Sequence, residues 1–333
     1  MYDSILIEIS GHCNAKCPWC ATGRGAIREE TKKYMSVIEF SKILDILISK
    51  KIIDSSTTII LFSWGEPFLN HDLIDIIKII CQYGCKYNLS TNASKYVKIP
   101  KELQHNLAGF NISMPGFSQD SYSKIHQFSF DKIIENIKKF MIDIDPRKIS
   151  ISYHVYQFNI DEIESGYAFF SKYGLNFFPY YAFINDYDWA QKYLSNNLPY
   201  DILSKASKEI ILGNVDKLIS ECPPAFQCPE WNRLTIDEWG AIITCCALTK
   251  DHPFYSLNLS VTDLLENISE EKIREIVRDQ PVCKECIQSG LAYWAHKGQG
   301  PTFVKMYSKK FLIKRMLARY IQVIMRRLPL TIR

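Results

Sequence analysis

Near the N-terminus three cysteines, Cys13, Cys17 and Cys20, follow one another as C-x3-C-x2-C. Thiolates at that spacing can fold one short loop around a cubic iron–sulfur cluster, each holding one iron. A 4Fe-4S cube wants four ligands, so three cysteines leave one iron open to bind and activate another molecule. His12 stands beside the first cysteine, so the loop taken alone also fits a closed zinc knuckle. A second set lies far along the chain: Cys222, Cys228, Cys245, Cys246, Cys283 and Cys286. Four thiolates drawn from it would close a cube or a four-cysteine zinc site, and spacing does not separate the two. Between the sets, Phe62-Ser63-Trp64-Gly65-Glu66-Pro67 ends a strand-like run. A carboxylate at such a mouth can accept hydrogen bonds from an ammonium group, and a glycine lets a ligand approach the backbone.

Trp19 completes the first loop as C-x3-C-x-(aromatic)-C, and on these residues the chain resembles the radical S-adenosylmethionine (radical SAM) superfamily. The resemblance implies that the open iron chelates the amino and carboxylate groups of SAM. One electron from the reduced cluster then releases a 5′-deoxyadenosyl radical, which takes hydrogen from the substrate. The 62–67 run resembles the family's Gly-Gly-Glu-Pro motif, which holds the SAM amino group, with Trp64 in place of the first glycine. Trp19, Gly65, Glu66 and Pro67 are therefore implied cofactor-binding residues. Leu89-Ser90-Thr91-Asn92 is similar to the Thr-Asn segment ending the third strand, and Asn111-Ile112-Ser113 to the fourth-strand segment that reaches the SAM ribose. Ser90, Asn92 and Ser113 are carried over on that basis. Val155 and Asn159 fall in the region that packs the adenine. Farther on, Cys228-x11-Gly240-x4-Cys245 followed by Cys283-Lys284-Glu285-Cys286 resembles the Twitch form of the SPASM extension. There a hairpin and a C-x2-C loop enclose one auxiliary 4Fe-4S cluster. Its implied ligands are Cys228, Cys245, Cys283 and Cys286, with Cys222 and Cys246 as alternates.

Those residues need a scaffold. Strand-like runs at 4–10, 57–63, 86–91, 109–114, 149–156 and 175–182 alternate with helical ones near 36–50, 71–83, 101–107, 130–143 and 161–173. Ser36 and Glu39 form a capping box, and Gly84 and Gly174 sit where C-terminal caps belong. Such alternation implies parallel strands joined by crossovers. Six units are too few for an eight-fold barrel, so an α/β fold is expected: a partial (β/α)6 TIM-type barrel over 1–185. Strand parity adds a detail. Ser150, Ser152, His154 and Tyr156 share one face, and Asn88, Ser90, Asn92, Asn111 and Ser113 repeat the pattern in two neighbouring strands. A packed parallel sheet is apolar on both faces, so the polar face predicts a lumen that holds polar ligands. Groups that satisfy one another would give the same pattern. His154 or Tyr156 could assist as catalytic base, His154 being favoured by its unperturbed pKa.

A helical connector is expected over 186–220 and a small cysteine-rich α+β domain over 221–300. Gly240 should close a hairpin between 233–237 and 241–245, and a helix should follow over 269–278. Cys81 and Cys85 read as packing thiols. Residues 301–333 carry nine Lys or Arg and no acid, so the other 300 hold a net −5 out of a total of +4. An acidic body argues against a nucleic-acid partner. The tail reads as a basic amphipathic helix, a candidate for peripheral membrane contact through 303–328 or for docking on the barrel. At 333 residues, 47% of them hydrophobic, the chain can build one large and one small domain. No apolar run of 18 residues and no signal sequence are read, so a cytoplasmic location is expected.

Three functions compete. The first is a radical SAM oxidoreductase acting on a small polar, sugar- or cyclitol-like molecule, reduced by a flavodoxin or ferredoxin, with the auxiliary cluster as acceptor. The second is a peptide-modifying maturase of the same superfamily; many carry an N-terminal peptide-recognition domain, for which a loop starting at residue 13 leaves no room. The third, a non-catalytic zinc or electron-transfer protein, gives Gly65-Glu66-Pro67 and the polar lumen no purpose.

Overall fold

Six parallel strands stand side by side in chain order: β1 (Ser4–Ile7), β2 (Thr58–Ile60), β3 (Lys86–Thr91), β4 (Leu107–Met114), β5 (Ile149–Val155) and β6 (Asn176–Tyr181). The computed structural model describes residues 1–195, 197–210, 220–266 and 268–298. The tail expected over 301–333 lies outside the described residues, as does part of the connector. Helices α1 (Val37–Ser49), α2 (Leu73–Gln82), α3 (Gln119–Lys124), α4 (Phe130–Asp143) and α5 (Ile163–Ser171) fill the crossovers. The sheet is that of an open, partial (β/α)6 barrel.

The elements form for local reasons. Ser36 Oγ accepts from Glu39 N at 3.3 Å while Ser36 N donates to Glu39 Oε2 at 2.9 Å, closing the box that starts α1. On β5, Ile149, Ile151, Tyr153 and Val155 are buried and Ser150, Ser152 and His154 are half-buried. The apolar set packs against the helices and the polar set faces the lumen. Part of that polar face satisfies itself: Ser152 Oγ donates to Asn111 Oδ1 at 2.5 Å, and Asn111 Nδ2 donates to Ser90 Oγ at 3.0 Å.

The expected connector begins as α6 (Tyr187–Leu194) and α7 (Tyr200–Glu209). The cysteine-rich part then joins the barrel's own sheet. Strand β7 (Leu234–Ile236) runs parallel to β1, pairing Ile5 with Leu234 and Ile7 with Ile236. The hairpin partner β8 (Ala241–Ile243) pairs antiparallel with β7, and a further strand, β9 (Ser256–Ser260), pairs antiparallel with β8. Gly240 has φ +81°, a left-handed turn that a Cβ would strain. Helices α8 (Glu270–Asp279) and α9 (Pro281–Gln288) close the region.

Two sequence expectations change, and two elements are new. The helix expected over 101–107 is a three-residue 3-10 turn, Lys101–Leu103, because β4 already begins at Leu107. The helix expected over 161–173 is preceded by a 3-10 stretch, Gln157–Glu162, and spans Ile163–Ser171. Helix α3 and strand β9 were not expected; both are short and carry no strong period.

Candidate active site

The cleft at the C-terminal ends of the barrel strands contains about 910 Å³ of atom-free space, part of it open to solvent. Cys13, Cys17 and Cys20 rim one side. Burial pushes the Cys13 thiol up to about 12 and raises Cys17 and Cys20, so without metal all three stay protonated. His12 points elsewhere: its Nδ1 lies 2.9 Å from Glu29 Oε1 and its ring packs against Tyr34. That removes the fourth ligand on which the zinc knuckle depended. Among the described residues no three His, Cys, Asp or Glu side chains meet closely enough for a single metal ion. All three cysteines line the cleft, where thiolates at this spacing could each hold one iron of a cube.

The Trp64-Gly65-Glu66 turn is pinned to the cysteine loop. Glu66 N donates to His12 O at 2.8 Å, and a Cβ on Gly65 would stand 1.7 Å from Ser10 O, so only glycine permits the approach. Gly65 N donates to the buried Glu8 Oε1 at 2.7 Å. Glu66 is 3% exposed; Oε2 accepts from Asn92 N at 2.7 Å and Oε1 from Phe68 N at 3.1 Å. Burial nevertheless pushes its pKa up to about 7. It is a buried acid with hydrogen-bond donors and, among the described residues, no cation beside it, which fits an arriving ammonium group. Asn92 also ties the third strand to the loop, Nδ2 donating to Asn14 Oδ1 at 3.0 Å and lying 3.9 Å from Cys13 Sγ.

Farther in, Ser113 Oγ lies 3.3 Å from His154 Nε2, and the Tyr180 hydroxyl bonds the same nitrogen. Burial lowers the His154 pKa to about 4, so the ring is neutral near pH 7, in place of the near-neutral titration expected from the sequence. Tyr156 walls the cleft, but burial beside Cys17 raises its pKa well above the ordinary value. It stays a phenol, able to donate and unsuited to act as the base that the sequence reading allowed.

Trp19, Gly65, Glu66, Ser90, Asn92, Ser113, His154 and Tyr156 all come together here. Val155 does not: one residue along from His154, it faces the apolar core. Pro67 also lies off the wall, where it opens the 3-10 turn Pro67–Leu69 that Glu66 caps. Asn159 is fully buried and bonds Pro115 O, His154 O and Tyr156 N, bracing the end of β5. Sequence reasoning missed His126 and Tyr180. His126 is 3% exposed, its Nδ1 has no partner, and its carbonyl accepts from Lys16 N in the cysteine loop at 3.3 Å. No periodicity announces that contact across 110 positions. Tyr180 was in principle legible, because it pairs in register with His154.

The second cysteine set lines its own cavity of about 430 Å³. Cys228 precedes a 3-10 turn, Cys245 follows β8, and Cys283 and Cys286 sit one turn apart on α9. All four reach the cavity wall. Cys222 does not, its Sγ bonding Pro223 O; nor does Cys246, whose Sγ lies 3.9 Å from Glu230 Oε2. One chain segment serves both sites. Ala182, Phe183 and Asn185 wall the first cleft and Tyr187 the second, and Asn185 N donates to Trp19 O at 3.1 Å.

Residues 7–167 match the family model of the Radical SAM superfamily. A protein named "Probable GTP 3',8-cyclase" from Saccharolobus solfataricus is 28% identical over 167 residues, 48% of this chain and 50% of its own length. One of the same name from Pyrococcus abyssi is 26% identical over 138 residues, 41% of this chain and 42% of its own. The chain thus spans about half the length of these relatives or less. The structure of Streptococcus suis SuiB bound to S-adenosylmethionine superposes with a TM-score of 0.51 at 15% identity, covering 88% of this chain and 72% of SuiB. At that identity the likeness concerns the fold.

Proposed function

We propose that this chain, whose residues 7–167 form a radical SAM domain, is an enzyme that oxidises a small, polar, sugar- or cyclitol-like molecule. It would hold a 4Fe-4S cluster on Cys13, Cys17 and Cys20, and an auxiliary 4Fe-4S cluster on Cys228, Cys245, Cys283 and Cys286. When bound, the first cluster with SAM supplies a radical that takes hydrogen from carbon, and the second supplies an acceptor for the remaining electron. The observation that supports this most is the pairing of an open three-thiol cleft with a four-thiol cavity across the segment from Ala182 to Tyr187.

The chain's own residues have defined tasks in this reading. Glu66 accepts the amino group of SAM, and Asn92 holds Glu66 and the cysteine loop in one frame. Ser113 hydrogen-bonds the ribose. Neutral His154, its Nε2 bonded by Tyr180 and beside Ser113, orients a substrate hydroxyl, while Tyr156, two residues along the same strand face, donates next to it. Trp19 and α7 exclude water: Trp19 Nε1 donates to Glu209 Oε2 at 3.2 Å, and Ala206 and Ile210 pack in the same apolar cluster. A flavodoxin or ferredoxin would deliver the first electron.

The relatives' names make GTP a second substrate to test. Among the described residues walling the cleft there is no Lys or Arg to pair with a triphosphate, which favours an uncharged substrate. The test incubates reconstituted, reduced protein and SAM with cyclitols, hexoses and GTP in separate reactions. The reading expects substrate-dependent 5′-deoxyadenosine and a product two mass units lighter for a cyclitol or hexose. In a Cys283→Ala/Cys286→Ala variant SAM cleavage should continue while that product is lost. A product of unchanged mass, or turnover of GTP alone, would contradict the oxidation.

A further inference from the structure

We infer that the indole N–H of Trp64 donates a hydrogen bond to sulfur of the cluster held by the cysteine loop and thereby raises that cluster's reduction potential. The inference rests on the cluster-binding reading above and adds to it a residue special to this chain, since Trp64 stands where the resembling motif has glycine.

Trp64 is 7% exposed and walls the cleft next to Gly65 and Glu66. It forms a small apolar cluster with Ala21 and Ile27, and Cys20 packs against that cluster. Its Nε1 is buried and has no hydrogen-bond partner. Indole nitrogen is a donor only, and an unmet buried N–H costs on the order of 1–3 kcal/mol, so the position calls for an acceptor that arrives with a ligand. The neighbouring thiols already gather N–H groups: Cys20 faces the backbone N–H groups of Thr22 and Gly23, and Cys13 that of Ala15. The loop is thus built to solvate sulfur that carries negative charge. A side-chain donor beside Cys20 extends the same design. Because the reduced cluster carries one more negative charge, a donor to its sulfur favours reduction and raises the potential.

Trp19 supplies an internal control, because its ring N–H is taken by Glu209 Oε2 at 3.2 Å. The test uses the full chain with both clusters reconstituted, wild type and Trp64→Phe, which keeps an apolar ring and removes the donor. The first cluster is followed through the electron-paramagnetic-resonance signal that changes when SAM is added. Wild type grown on indole-15N tryptophan should show a nitrogen coupling on that reduced cluster, and the variant should lose it. A redox titration should place the variant's midpoint lower at equal iron content. Absence of the coupling in wild type, or an unchanged midpoint in the variant, overturns the inference. Weaker SAM binding with an unchanged midpoint would also overturn it, assigning the N–H to SAM. If no SAM-responsive cluster assembles at all, the cluster-binding reading fails with it.

Discussion

At the scale of single residues the most telling group is Glu66, a buried carboxyl in a cleft with no Lys or Arg among its described wall residues. In the proposed reading, its pKa of about 7 in the free cleft would make SAM binding depend on pH. An ammonium partner favours the ionised form, so the complex holds the carboxyl deprotonated at pH values where the free protein binds a proton. Affinity should therefore be full above pH 7 and fall about tenfold for each unit below it, as equilibrium binding to the reconstituted protein would register. Glu66→Gln should weaken SAM binding by roughly tenfold or more, the worth of a charge-assisted hydrogen bond, while leaving iron content unchanged. Glu66 was legible because glycine, acid and proline at a strand end carry a chemical meaning together. Val155 was misplaced for the opposite reason: a region was matched, and parity, already visible in the alternation of Ser152, Tyr153 and His154, sends it to the core. His126 gave no signal, since its place depends on how a turn after α3 lies against the cysteine loop.

At the scale of elements, the cysteine loop is clasped to α6. Arg24 Nη1 lies 2.6 Å from Asp186 Oδ2, the two side chains being 15% and 1% exposed, and the guanidinium stacks 4.0 Å over Trp189. Asp186 also caps α6 by accepting from Trp189 N at 2.8 Å. Asp186→Ala should remove the cap and leave Arg24 charged and unpaired, destabilising the fold by about 3 kcal/mol. Thermal unfolding would show this, and the N-terminal iron should be lost faster to a chelator than in wild type. The six barrel strands, four of the five helices expected between them and the hairpin at Gly240 were readable because period and turn chemistry are local properties. That β7 would add to β1 was not, because a three-residue strand has no period and its partner lies over 220 residues away.

At the scale of the whole molecule, one nine-stranded sheet runs through both the barrel and the cysteine-rich region. Among the described residues no helix is long and apolar enough to cross a membrane. The basic segment 303–328, proposed as a membrane contact, should make the full chain sediment with anionic vesicles at low salt and less at high salt, where its charge is screened. A chain ending at residue 300 should stay in solution; aggregation of that shorter chain would instead make the segment part of the fold. The central claim is that the cleft of Cys13, Cys17, Cys20 and Glu66 cleaves SAM and the second cysteine set does not. Its most direct test measures iron and 5′-deoxyadenosine together in anaerobically reconstituted, dithionite-reduced protein. Wild type should hold about eight irons, two cubes of four, and release 5′-deoxyadenosine. The Cys13/Cys17/Cys20→Ala variant should keep about half the iron and release none, whereas Cys283→Ala/Cys286→Ala should lose iron and still cleave SAM. Cleavage that survives in the first variant, or that vanishes only in the second, would contradict the account.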